Sequence, residues 1–265
     1  MGNLLRLITI IALVFTNGCI SSNQSDPLKQ KAALAFSRAQ TSLLAEKKVA
    51  IDVLWVLTQI QNQRHSDAAE QFIESMKEHI KNPSYLPCVF PNHPKVTLPE
   101  SPQPGIRQFL TYLDTPRGKP EKVALRNLKQ FINEDADGYI LTHQLIVLLL
   151  AEQAELPLSK EIIETKHYLI DKIYREQKNM KTMDCIDLYM ERLALVLFFG
   201  NRKDIDQQTI NAWISTALTA QLPDGSWPVS KSTISYNGEK ISISSPRSHT
   251  TALAMMALQA YLNDY

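Results

Sequence analysis

A short turn motif that occurs twice constrains the fold of this chain more than any other feature of its sequence. The stronger copy reads Gln-Leu-Pro-Asp-Gly-Ser-Trp at 221–227, and the weaker copy reads Glu-Asp-Ala-Asp-Gly-Tyr at 134–139. Each copy follows an amphipathic run and precedes a long apolar run that opens with a hydroxyl residue and a histidine, His143 or His249. The two Asp-Gly pairs lie 87 residues apart, which leaves room for one further unit between them. This repetition predicts a helical repeat fold.

The motif at 221–227 resembles the QW motif of the terpenoid cyclase and protein prenyltransferase superfamily, and the resemblance covers 119–265. It implies an all-α fold, the α/α-toroid, in which helical hairpins form a ring with inner helices around a central cavity and outer helices covering them. This chain has room for about five hairpins, fewer than a closed ring of six or seven pairs, so the alternative to a closed ring is an open arc. In that superfamily the motif joins the end of one helix to the start of the next. The resemblance therefore implies a structural role for the motif residues, which are Gln221, Asp224, Gly225 and Trp227 in the stronger copy and Asp137 and Gly138 in the weaker one.

The N-terminus carries the features of an export signal. An apolar run at 7–15 is far shorter than the ~20 residues of a membrane-spanning helix, and it is followed by Gly18 and Cys19. These two residues resemble the lipobox of bacterial lipoproteins, although Thr16 and Asn17 depart from its usual pattern. The resemblance implies that 1–18 are removed, that Cys19 carries a lipid, and that 19–27 form a polar tether. The alternative is an ordinary secretory signal with a chance cysteine.

Composition limits the classes of partner. The net charge is +1, and no run of basic residues with interleaved aromatics is present, so we expect no binding to nucleic acid. Residues 28–265 suit one helical domain. An exported chain could pair Cys88 with Cys185, but two cysteines do not define a disulfide framework, and their pairing stays open.

Apolar periodicity and turn residues predict the course of the chain. A run of prolines predicts an extended strap at 82–104, and Asn237-Gly238 between two alternating runs predicts a β-hairpin at 232–243 on the rim of the cavity, where it could act as a lid. The pattern Ile-Asp-Val-Leu-Trp at 51–55 echoes Ile-Asp-Leu-Tyr-Met at 186–190, which indicates two inner helices of one series. The predicted helices span 28–45, 49–61, 66–80, 105–113, 120–131, 142–154, 160–177, 185–200, 206–221 and 248–263.

Four polar residues are candidates for the concave rim of the toroid: His143, Asp187, Tyr189 and His249. The two histidines are expected in the first turns of inner helices, where the positive end of the helix dipole disfavours an imidazolium. Neutral histidines at such a rim could act as bases or metal ligands. The alternative is that each imidazole braces the Asp-Gly loop of its own repeat.

The superfamily also implies a zinc site, because protein prenyltransferases hold zinc with an Asp, a nearby Cys and a later His. Asp184, Cys185 and His249 have these types in this order, but the family separates its Asp and Cys by one residue and here they are adjacent. We therefore predict no metal or other cofactor, with this ligand set as the alternative.

These observations predict an exported, lipid-anchored binding or scaffolding lipoprotein of the bacterial cell envelope that faces the periplasm or exterior. Its partners would be the membrane, through the N-terminal lipid, and a protein, glycan or lipid ligand whose identity the sequence leaves open. The alternative is an enzyme of the terpenoid cyclase or prenyltransferase-like class acting on a polyprenyl or glycan substrate. Several polar groups converging in one pocket, with shifted pKa values, would favour the enzyme.

Overall fold

A computed structural model of the protein describes residues 26–46, 51–63, 73–74, 121–133, 135–153, 157–180, 183, 185–201, 205–228, 230–236, 239–245 and 247–265. The signal sequence and Cys19, the proline-rich strap, the predicted helix at 105–113 and most of the one at 66–80 lie outside these residues. This part of the chain is all-α in class, as predicted, with one pair of strands. Its eight helices are α1 Pro27–Ala45, α2 Ile51–Gln63, α3 Glu121–Ile132, α4 Gly138–Gln153, α5 Lys160–Asn179, α6 Ile186–Phe199, α7 Gln207–Thr219 and α8 Arg247–Asp264.

Most helix ends agree with the sequence pattern to within two residues, and α4 departs furthest from it. The predicted start at Thr142 is four residues late, because α4 begins at Gly138. The carbonyl oxygen of Asp137 already accepts a helical hydrogen bond from the Leu141 amide at 3.3 Å. In this copy of the motif, the Asp-Gly pair therefore begins the helix directly, whereas at 224–225 it belongs to a separate loop.

Two strands, β1 Ser230–Tyr236 and β2 Glu239–Ser245, pair in a two-stranded sheet. The turn residues Asn237 and Gly238 lie outside the described part of the chain. A role of this segment as a lid on a cavity rim stays a prediction.

The chain divides into two compact units, and unit 1 contains α1, α2, α6, α7 and α8. Helix α8 is its centre: it packs most extensively on α6 and also contacts α1, α2 and α7. Every residue from Thr250 to Tyr261 is buried, on all sides of the helix. A helix that is apolar all round must be covered on every side, and the four neighbouring helices provide that cover.

Unit 2 contains α3, α4 and α5, and α4 packs against both of the others. The side-chain amide of Gln144 donates to the carbonyl oxygen of Phe131 at 2.8 Å, which ties α4 to the end of α3. The Gly138 amide donates to Glu176 Oε2 at 3.2 Å, which ties the start of α4 to α5. Across both units, none of the described helices combines the length and apolar character needed to cross a bilayer.

Candidate functional site: a histidine between two aspartates

The most concentrated group of ionisable side chains in unit 1 surrounds His249. Its Nδ1 lies 2.8 Å from Asp187 Oδ1, which also accepts a 2.7 Å hydrogen bond from the Thr250 hydroxyl. Its Nε2 lies 3.4 Å from Asp52 Oδ2 on the opposite side of the ring. Asp187 has no exposed side-chain area, that of His249 is 14% exposed, and that of Asp52 is 45% exposed. The site therefore runs from a buried carboxylate to one that reaches solvent.

Three helix starts create this site. Asp52 is the second residue of α2, Asp187 is the second residue of α6, and His249 is the third residue of α8. Because α8 also packs along both α6 and α2, the contact of their starts at His249 means that the three helices run in the same direction. The positive ends of three helix dipoles therefore meet here, and such ends stabilise the two carboxylates.

The charge state of His249 differs from the sequence-based expectation of a neutral imidazole. Burial acts to lower the pKa of His249, but the negative charges of Asp187 and Asp52 outweigh it, and the hydrogen bond to Asp187 and the charge of Glu191 add to their effect. The result is a pKa raised to about 10. The helix dipole alone does not set this charge, because each flanking helix brings its own carboxylate to the same place. At neutral pH, His249 is an imidazolium held between two aspartates.

The other two candidate residues lie elsewhere. Tyr189 is buried, and its hydroxyl donates to the backbone oxygen of Trp213 at 3.0 Å, so it joins α6 to α7. Burial raises the pKa of Tyr189 to about 12. His143 belongs to unit 2, where it is the sixth residue of α4 and its ring centroid lies 6.1 Å from that of Tyr139. It therefore sits in the second turn of its helix, whereas a first-turn position was predicted.

The motif loop at 221–228 contacts helix α1, a partner that the sequence alone did not reveal. The side-chain amide of Gln221 donates to the carbonyl oxygens of Gly225 at 2.9 Å and of Ala35 in α1 at 2.8 Å. Gly225 has a φ of +87°, and an added Cβ would lie 2.4 Å from the backbone oxygen of Arg38. The loop is thus fitted against the backbone of a helix that lies about 186 residues away in the sequence.

Asp224 and Trp227 hold the loop from within and anchor it to the helices that it joins. Asp224 Oδ1 accepts hydrogen bonds from the Ser226 amide and hydroxyl, at 3.0 and 2.6 Å. The Trp227 indole is fully buried and donates to the Ala217 carbonyl oxygen at 2.9 Å. Its backbone amide donates to the Thr251 hydroxyl at 3.0 Å. Thr251 therefore braces the loop, whereas the polar partners that the structure describes for His249 lie on α6 and α2.

The alternative zinc ligands can be placed only in part. Cys185 is the half-buried N-cap residue of α6, and Asp184 lies outside the described residues. In the part of the chain that the structure describes, no three His, Cys, Asp or Glu side chains form a group that could hold a metal ion.

Asp52 was not among the site residues predicted from the sequence, although the sequence contains a pattern that points to it. The echo between 51–55 and 186–190 aligns Asp52 with Asp187, and the structure places these two aligned residues on either side of one imidazole. Thr250 carried no comparable signal, because a threonine next to a histidine in an apolar helix is unremarkable.

Comparisons with known proteins add no relative of this chain. No protein-family model matches it, and no curated protein or solved structure matches it either. The superfamily resemblance therefore stays a prediction that rests on the residues described above.

Proposed function

We propose that this protein is an exported, lipid-anchored binding or scaffolding lipoprotein built on an α/α-toroid. Its ligand-binding face would be the concave end at which α2, α6 and α8 begin. The observation that carries the proposal is the contact of His249 with Asp52 and Asp187, because it aligns the starts of three helices around one polar group.

This alignment supports a toroid because inner helices of such a ring run parallel. Helix α8, the last described helix, contacts α6, which lies close to it in the sequence, and also α2, which lies near the beginning of the described chain. Helix α7 likewise contacts α1. In a ring, the last hairpin must meet the first in this way. The motif loop strengthens that junction, since Gln221 and Gly225 both contact the backbone of α1.

The electrostatics of the site favour binding over catalysis. A general base must be able to accept a proton near the working pH, and His249, with a pKa raised to about 10, is already protonated there. Both of its ring nitrogens also face carboxylates. The imidazolium is best suited to holding the three helices together, while Asp52, whose side chain is 45% exposed, presents a carboxylate to a ligand.

Site-specific photo-crosslinking in intact cells would test the binding role. A photoreactive residue placed at Arg247, the exposed first residue of α8, reports on the proposed face, and one at Ala212, an exposed residue in the middle of α7, is the control within unit 1. We expect a discrete adduct, reproducible between preparations, from position 247 and none from position 212. Equal adducts at both positions, or none at position 247, would contradict a binding face at this end.

The enzyme alternative has two observations in its favour. Asp52, Asp187 and His249 converge with a shifted His249 pKa, which is the feature expected of an enzyme, and a buried carboxylate lies on Nδ1 of His249. This arrangement occurs in catalytic triads, where the aspartate orients a histidine whose Nε2 serves the nucleophile. Here Nε2 faces Asp52 at 3.4 Å instead of a hydroxyl or thiol. Incubation with polyprenyl diphosphates and envelope glycans distinguishes the two functions: turnover that is lost in His249→Gln, with the fold retained, would put the enzyme first.

A further inference from the structure

The course of α1 relative to α8 fixes which end of unit 1 carries the N-terminus. Helix α1 ends at Ala45 and α2 begins at Ile51, so a connection of only five residues separates them. Because Asp52 contacts His249, the start of α2 lies at the start of α8. Helix α1 must therefore run toward that end, antiparallel to α8, and begin near the other end.

The contacts at the beginning of α1 agree with this direction. Asp26, the N-cap residue of α1, lies close enough to the Tyr261 hydroxyl in the last turn of α8 to affect its ionisation. Burial and the negative charge of Asp26 together raise the pKa of Tyr261 to about 12. The Tyr261 hydroxyl also lies 3.1 Å from Oδ1 of Asn211, the fifth residue of α7. The start of α1, the start of α7 and the end of α8 thus share one end of the unit, which we call the Tyr261 end.

The length of the tether predicted from the sequence limits how far the start of α1 can lie from the lipid. Six residues lie between Cys19 and Asp26, and the seven steps that join these two residues span at most roughly 23–25 Å. The 12 residues from His249 to Tyr261 rise roughly 18 Å along α8. A tether that starts at the Tyr261 end would have to use about three quarters of that maximum span to bring the His249 end level with the lipid, whereas the Tyr261 end needs no such extension.

The side chains at the Tyr261 end suit a lipid headgroup region. Helix α6 starts beside α8, so its last residues, Phe198 and Phe199, lie at this end, where they are half-buried with ring centroids 5.1 Å apart. The half-buried Lys29 and the exposed Lys31 lie in the first turns of α1. Three aspartates, Asp26, Asp206 and Asp264, lie at the same end and offset the charge of these two lysines. The partly exposed aromatic rings are therefore the feature of this end that is typical of a surface in contact with a membrane interface.

We propose that unit 1 stands on the membrane with its Tyr261 end against the lipid surface, so that the His249 end faces the aqueous compartment. This inference rests on the lipid anchor of the proposed function. It identifies the partner of the Tyr261 end as a bilayer and requires the ligand of the His249 end to arrive from solution.

Two labelled positions on one helix test the orientation. Gln208 and Thr219 are both exposed on α7, near its start and at its end. They are 11 residues apart, so they lie on the same face, with a separation of about 16 Å along the axis. Each is replaced by cysteine in the full chain carrying Cys88→Ser and Cys185→Ser, and is labelled with a donor fluorophore. The lipidated protein is then bound to phospholipid vesicles that contain an acceptor on the headgroup.

We expect energy transfer to be clearly more efficient from position 208 than from position 219. Equal transfer, or stronger transfer from position 219, in protein that floats with the vesicles would overturn the orientation and leave the anchor intact. Protein that does not float would refute the anchor itself, and the orientation with it. The Cys19→Ser variant is the control, and it should give no transfer from either position.

Discussion

The contact between Gly225 and α1 makes the free energy of unfolding sensitive to a single methyl group. Gly225→Ala would place a Cβ 2.4 Å from the Arg38 backbone oxygen and 2.6 Å from its carbonyl carbon, at a φ of +87°. A side chain in a left-handed conformation costs roughly 1–2 kcal/mol, and overpacking against a fixed backbone costs about 1–3 kcal/mol. We therefore expect unit 1 to lose ~2–5 kcal/mol of stability.

Urea unfolding followed by circular dichroism measures this loss, and Gly200→Ala is the matched control. Gly200 caps α6 with an ordinary φ of −74°, so alanine should be tolerated there. Hydrogen exchange provides the local readout: amides in α1 should exchange faster in Gly225→Ala, because α1 must move away from the loop to relieve the clash. If the two variants unfold at the same urea concentration, the loop does not press on α1 and the reasoning is wrong.

Four further predictions follow from the same contacts. Trp227→Ala should reduce the free energy of unfolding by roughly 3–5 kcal/mol, since it empties a fully buried site; an unchanged thermal melt would contradict this. The His249 pKa is raised from 6.5 to about 10, so the stability it contributes is complete below pH 6.5 and falls as the pH rises toward 10. His249→Gln should lack this pH dependence, which urea titrations at several pH values would detect. Gln177 is buried, and neither of its side-chain amide atoms makes a hydrogen bond within the described structure. Gln177→Met should raise the stability by about 1 kcal/mol in calorimetry, and a loss of stability would indicate a hidden partner. Protein purified without chelator should hold well under one zinc per chain, and stoichiometric zinc that is lost in Cys185→Ser would contradict this.

The sequence by itself predicted the all-α class and most helix ends of the described chain. Apolar periodicity and turn residues are local properties, so they report on structure formed within a few turns. This is why the ends of α5 and α6 agree with the pattern, and why the echo at 51–55 marked α2 as an equivalent of α6. The late start assigned to α4 shows the limit of such signals, because an Asp-Gly pair can either precede a helix or begin it.

Only the tertiary structure decided which of these residues meet. His249 lies 62 residues from Asp187 in the sequence, and Gln221 lies 186 residues from Ala35. Partners at such distances are chosen by the packing of whole helices around α8, which no local pattern encodes. The same packing decided the charge of His249, since its own helix start favours a neutral ring while two carboxylates from other helices make it an imidazolium. A pKa depends on every charge that the fold brings near, and for that reason it became known only with the fold.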